Sequence, residues 1–319
     1  MSSSRKWLPI VLLALLCGGD AVSADSQLVA SLITAADPDH PDRTRFGTLE
    51  FRGGLKLSWS HAAFGGWSAA RLEGQTLTSV SDVGNWIRLT LHHDGRGWLV
   101  DAQRDGSGPL RRLDGAAIGD DKRWRDAEGL TRWRGGWVVS FERHHRLWFY
   151  PSGIDGVPAP LDGPPEMAAL PDNEGVEAVA ALTDGRLLLL AESGGAGWLG
   201  VPGDWQSITW TVTDDFHPTD LIQLPNGDLV VLERRFSVLG GFAARLSLVP
   251  GATIAPGARL EGRELLRLAP PWTVDNFEGL AVGQGPNGEP MLYLISDDNF
   301  SPLQATLLLA FAVVGESEH

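Results

Sequence analysis

Apolar and polar positions alternate with a period of two over short stretches, and no long stretch carries a helical period. NWIRLTLHH (85–93), RLWFY (146–150), SITWTV (207–212), ARLSLV (244–249) and ATLLLAFAV (305–313) either alternate or run continuously apolar. Alternation puts one set of side chains on each face of a pleated ribbon, so these stretches predict strands. GTLEFRGGLKLSW, Gly47 to Trp59, reads the same way around a Gly-Gly pair. Tight turns fall at Arg134-Gly135-Gly136, Asp184-Gly185, Asn226-Gly227 and Pro286-Asn287-Gly288. Asn-Gly and Asp-Gly supply the positive φ angles that two-residue hairpins need.

These turns sit midway between pairs of acids. Glu128 pairs with Glu142, Glu177 with Glu192 (Glu174 lies just upstream), Asp220 with Glu233, and Glu278 with Asp297. In the earliest unit Ser68 and Asp82 hold the two positions. The units start 60, 49, 43 and 58 residues apart, close to the roughly 40 to 50 residues of a propeller blade plus loops. The expected fold is therefore all-β: a single β-propeller of five or six blades, each with four strands. Its ring is expected to close by pairing the strand at Gly47 to Trp59 with the last one, Thr306 to Val314. The 39 Gly and 20 Pro, with 43% hydrophobic residues, suit many short strands around a large core. On this reading residues 46–314 form the domain, 25–45 a lead-in with little regular structure, and 315–319 a tail.

The first residues read as a targeting segment, 1–24. Arg5 and Lys6 are its basic region, Trp7 to Leu16 its apolar region, and Val22-Ser23-Ala24 its small-residue cleavage site. Export to the periplasm or beyond follows, with no membrane span after cleavage. The only cysteine, Cys17, lies inside that segment, so the mature chain has no disulfide or cysteine metal site. The net charge of −14 becomes −15 once Arg5, Lys6 and Asp20 are removed. Such a surface repels nucleic acid and anionic lipid and attracts cations.

In a propeller the innermost strand of each blade lines the central channel, and the next strand returns antiparallel about 4.8 Å away. An acid at the start of the first strand and one at the end of the second then share a rim. Glu128, Glu142, Glu174, Glu177, Glu192, Asp220, Glu233, Glu278 and Asp297 are accordingly the candidate metal ligands at one mouth. Like charges so placed raise one another's pKa unless a cation compensates. Calcium, with six to eight oxygen ligands, is the natural cofactor. The competing role for these acids is loop capping, or pairing with Arg125, Arg143, Arg234 and Arg235.

A metal at this mouth would polarise an ester and activate water. Glu128 and Glu278 are the candidate catalytic acids, and Arg143 and Arg234 would hold an anionic group. His144, or His217, suits a general acid. No nucleophile elbow is present: Gly66-Trp67-Ser68-Ala69-Ala70 lacks the last glycine and leads into a strand. A phosphate loop, a metalloprotease helix and an EF-hand loop are missing too.

The segments KRWRDAEGL, VVSFERHHRLWFY, NEGVEAVAAL and DNFEGLAV…LYLISDDNFSPLQATLLLAF resemble the phytase-like domain family described as having esterase-like activity, found in exported bacterial proteins. The resemblance covers roughly Phe46 to Val314. It implies a phytase-like propeller and an esterase or phosphoesterase acting on a small molecule. The alternative is a non-catalytic propeller that binds a ligand or partner protein.

Overall fold

The computed structural model describes residues 27–315; the expected targeting segment and residues 316–319 lie outside them. Strands fall into five sheets, one per blade, antiparallel but for one short parallel pair. Blade 1 comprises Trp67–Glu73, Thr76–Ser81, Asn85–His93 and Leu99–Pro109. Blade 2 comprises Ala127–Trp133, Gly136–Phe141, Arg146–Tyr150 and Ala159–Leu161. Blade 3 runs Val176–Ala181, Leu187–Ala191, Ala196–Val201 and Asp204–Trp210. Blade 4 runs His217–Gln223, Leu229–Ser237, Gly241–Val249 and Arg263–Leu268. The blade count, left at five or six by the sequence, is five.

Blade 5 draws on both ends of the chain. Asn276–Gln284, Pro290–Asp297 and Thr306–Val313 are followed outward by Leu49–Ser58, paired antiparallel with Thr306–Val313. This closes the ring as expected. The lead-in is more regular than its composition suggested, because Val29–Ile33 adds an edge strand antiparallel to residues 54–58. A second clip joins neighbouring blades: Arg259–Leu260, inserted before the last strand of blade 4, pairs in parallel with Thr209 and Trp210 of blade 3.

The innermost strands begin with Trp67, Ala127, Val176, His217 and Asn276, and each packs against the inner strands of its two neighbours. Strands buried on both faces read as continuous apolar runs, which is why the inner hairpins lack clean alternation. The core is a set of five seams between adjacent blades. Between blades 3 and 4, for example, Leu190 and Leu199 meet Leu221 and Val231; between blades 5 and 1, Tyr293 and Leu308 meet Trp67 and Leu89. Each such side chain contributes about 1.5–3 kcal/mol on burial.

The central channel is plugged. Arg71, on the inner strand of blade 1, sends its guanidinium across the axis to Asp220 of blade 4 in a bidentate pair at 2.7 and 2.8 Å. The same guanidinium donates to the carbonyls of Ala70, Val179, Leu221 and Leu280 at 2.6, 2.6, 3.0 and 2.8 Å. Asp220 is 0% exposed and also accepts from the amides of Leu221 and Leu280, both at 2.8 Å. Four blades are tied together here, and the channel beyond the mouth becomes a cup with a floor.

Candidate metal and active site

Every inner hairpin carries a β-bulge at its mouth end. The register slips between Trp67 and Ala69, Ala127 and Leu130, Val176 and Ala178, Pro218 and Asp220, and Phe277 and Gly279. A bulge frees a residue from the ladder and re-aims its side chain. The freed residues include Ser68, Glu128, Glu177, Thr219 and Glu278. Two of them are followed by glycine for a steric reason. A Cβ on Gly129 would lie 2.6 Å from the carbonyl oxygen of Glu177, and one on Gly279 would lie 3.0 Å from the main chain of Ala69. Inner strands approach too closely there for a side chain.

On the returning strand the equivalent position follows the residue paired just before the bulge: Asp82, Glu142, Glu192, Arg234 and Asp297. Arg234 is opposite His217 just as Asp297 is opposite Asn276. Blade 4 therefore presents Thr219 and Arg234 to the mouth, whereas its sequence pointed to Asp220 and Glu233. Those two acids lie one register position away, and a one-residue shift in a strand sends the side chain to the opposite face. Asp220 belongs to the channel floor. Glu233, also 0% exposed, pairs with Arg245 at 2.6 and 2.8 Å and accepts from Ser247 at 2.5 Å. Neither joins the other acids.

The structure brings together two carboxylate triads. Asp126, Glu128 and Glu142 form one; Glu142, Glu177 and Glu192 form the other; within each, one oxygen per residue lies within 4.8 Å of the others. Glu128 is 8% and Glu177 6% exposed, and among the described residues neither has a hydrogen-bond or ion-pair partner. Burial first, then neighbouring carboxylates, push both well above the usual glutamate range. Glu142 is raised to about 7 by burial and by Asp126. Such a cluster can hold a metal ion.

Asp126 escaped sequence reasoning, although Asp126-Ala-Glu128 mirrors Asn276-Phe-Glu278 two blades away. Arg143 was expected to hold a substrate anion; its Nε is instead 2.6 Å from Asp126. Arg234 is similarly engaged, with Glu192 at 3.1 Å, Glu278 at 3.0 Å and the Asn276 side-chain oxygen at 2.8 Å. Burial drives Glu278 to about 8 despite Arg234, and Asp297 and Asp82 to about 6 and about 7, again chiefly by burial. Glu174 stands outside both triads and accepts from the Ser193 hydroxyl. His144 is exposed, with its ring 4.4 Å from that of Trp124.

A cavity of about 620 Å³ opens beside the second triad, lined by Glu192, Asp215, His217, Arg234, Arg235 and Phe236. Nδ1 of His217 lies 3.0 Å from the main-chain oxygen of Glu192. A carbonyl only accepts, so Nδ1 carries the proton of that bond, and in the neutral ring Nε2 is left as an acceptor. Glu192 thus touches both the cluster and the cavity.

Residues 62–300, well over half of the chain, match the phytase-like family model, described as esterase-like activity of phytase. The chain belongs to the phytase-like family. No curated protein sequence matches it. Among solved structures, a catalytically inactive virginiamycin B lyase from Staphylococcus aureus is 8% identical, with 90% of this chain and 99% of that one covered and a TM-score of 0.43. An α-L-arabinofuranosidase from Clostridium thermocellum is 12% identical over 74% and 83% of the two chains, with a TM-score of 0.42. A tail fibre of Staphylococcus aureus phage P68 is 12% identical over 83% and 52%, with a TM-score of 0.41. Likeness at this level says nothing of activity. Among the described residues, no helix of this phytase-like protein is long and apolar enough to cross a membrane.

Proposed function

We propose that this protein hydrolyses a small ester, carboxylic or phosphoric, at the acidic mouth of the propeller, with calcium held among Asp126, Glu128, Glu142, Glu177 and Glu192. The observation that carries this reading is the gathering of Glu128 and Glu177, buried and unpartnered, around Glu142. Buried charges without partners are costly, and a cation is what offsets them. The donors fit: both triads offer carboxylate oxygen alone, which suits calcium or magnesium better than zinc. Such an ion, once bound, polarises an ester oxygen and makes water a better nucleophile.

The chain's own groups supply the rest. The Arg71–Asp220 floor leaves the mouth as the way in and out along the axis. Arg234 fixes Glu192 and, with Arg235, lines the adjoining cavity opposite the acids Glu192 and Asp215. His217, oriented through Nδ1, offers Nε2 for proton exchange at the leaving oxygen. Family membership supports the ester reading, and export in residues 1–24 would place the reaction outside the cytoplasm. Purified protein assayed on p-nitrophenyl acetate and p-nitrophenyl phosphate should turn over at least one, with loss on chelation and recovery with calcium. Ligand binding without turnover of either class would favour the non-catalytic alternative and end this proposal.

A further inference from the structure

The hairpin joining the second and third strands of blade 4 runs on past the mouth. In the other blades the second strand ends at or just before its mouth position, at Ser81, Phe141, Ala191 and Asp297. In blade 4 the ladder continues beyond Arg234 through the pairs Arg235–Ala243, Phe236–Phe242 and Ser237–Gly241. At about 3.4 Å per residue the hairpin stands roughly 10 Å above the rim. Small residues meet the needs of its turn: Gly241 takes a φ of 67°, and the Ser237 hydroxyl accepts from the Gly240 amide at 3.0 Å. Val238 and Leu239 at the tip are not turn formers, yet Val238 is 91% exposed and Leu239 fully so. Phe236 below them is 60% exposed, its ring 4.9 Å from that of Phe242. Folding gains nothing from aliphatic side chains left in water, and apolar side chains grouped in this way mark a contact surface.

The same hairpin walls the cavity at the mouth. Phe236 and Ser237 line it together with Glu192, His217 and Arg234, so the apolar ridge is continuous with the polar site. We propose that Phe236, Val238 and Leu239 hold the apolar chain of the ester, which makes the substrate a carboxylic ester with an acyl chain of several carbons. This rests on the hydrolytic reading above and names its substrate class. A stable protein interface takes about 20–30 residues a side, far more than this ridge offers. A second copy of the chain, or an anionic lipid surface, would bring negative charge against a protein of net charge −14. An uncharged acyl chain meets neither obstacle, and it arrives attached to the group that the cavity receives.

The test uses the full chain with p-nitrophenyl acetate, butyrate and octanoate at monomeric concentrations, wild type beside the Val238→Ser/Leu239→Ser variant, whose altered side chains are exposed and outside the core. A methylene fully buried is worth about fourfold in affinity and one laid on an open ridge about twofold, so kcat/KM should rise by about tenfold or more from acetate to octanoate. In the double variant that ratio should collapse towards equality. Calorimetric titration with octanamide and acetamide, uncharged and not turned over, reads the same ridge without catalysis: wild type should prefer octanamide, and the variant should lose the preference. A flat chain-length series in wild type, or a preference that survives in the variant, would overturn the inference and leave hydrolysis standing. No turnover with octanamide still bound through the tip would end the hydrolytic reading and keep the chain site; no turnover and no octanamide binding would end both. A dimer seen by sedimentation, or binding to phosphatidylcholine vesicles, that the variant loses without any chain-length preference would assign the tip to another occupant and overturn the inference.

Discussion

The Asp220→Asn substitution separates the channel floor from the metal cluster. In the sequence Asp220 looks like a ring ligand; in the fold it neutralises Arg71, whose side chain is 10% exposed. Breaking a buried ion pair by removing one partner costs about 3–5 kcal/mol, because the survivor stays buried and charged. Here the survivor keeps its bonds to the carbonyls of Ala70, Val179, Leu221 and Leu280, so the lower end, about 3 kcal/mol, is expected. For a chain of this size that corresponds to about 6 °C in melting temperature. Arg71→Met should cost more, about 4–5 kcal/mol, since Asp220 keeps only two amide donors and four carbonyls lose theirs. Guanidinium chloride and thermal unfolding measure the loss, and metal titration supplies the control. Asp220→Asn should leave ion stoichiometry and affinity unchanged. A loss of stability below 1 kcal/mol, or the loss of an ion, would show that the floor has been misassigned.

The metal-free protein should become less stable as pH rises. Glu142 at about 7 and Glu278 at about 8 hold protons in the folded state that the unfolded chain releases near 4.5, so raising pH through that window favours unfolding. Melting temperature should fall from pH 5 to pH 8 without metal and the fall should shrink or reverse with calcium; a curve that rises in the metal-free protein contradicts this. Arg234→Gln frees Glu192 and Glu278, which should destabilise by about 1–3 kcal/mol, partly regained on adding calcium; chemical denaturation at two calcium concentrations reads this. At the ring closure, Leu308→Ala removes a fully buried side chain opposite Leu55 and should cost about 2–5 kcal/mol. A smaller loss on denaturant titration would mean that the closing strand contributes little.

Much of the fold was legible because hairpin chemistry is local. Gly185, Gly227 and Gly288 take φ angles of 89°, 92° and 85°, the conformation their turns demanded, and the acids on either side marked the mouth ends of Glu128 to Glu142, Glu177 to Glu192 and Glu278 to Asp297. Blade 4 misled because its mouth positions hold Thr219 and Arg234, while the adjacent Asp220 and Glu233 completed the acidic pattern one residue out of register. A bulge leaves no composition signal, so the slip could not be seen without the ladder. Asp126 was missed since its companion Arg143 comes from the far end of the hairpin. Arg71 gave no hint of a plug, because its partners come from three other blades. His144 drew attention by its neighbour His145, yet it packs on Trp124, while His217 lines the cavity.

The most direct measurement is hydrolysis of p-nitrophenyl esters by the purified chain, wild type beside the Glu128→Gln/Glu177→Gln variant, after chelation and after calcium is restored. Metal-assisted hydrolysis at the mouth requires turnover by wild type that disappears with chelator, returns with calcium, and is absent from the folded variant under every condition. Turnover that ignores both chelator and substitution would contradict it.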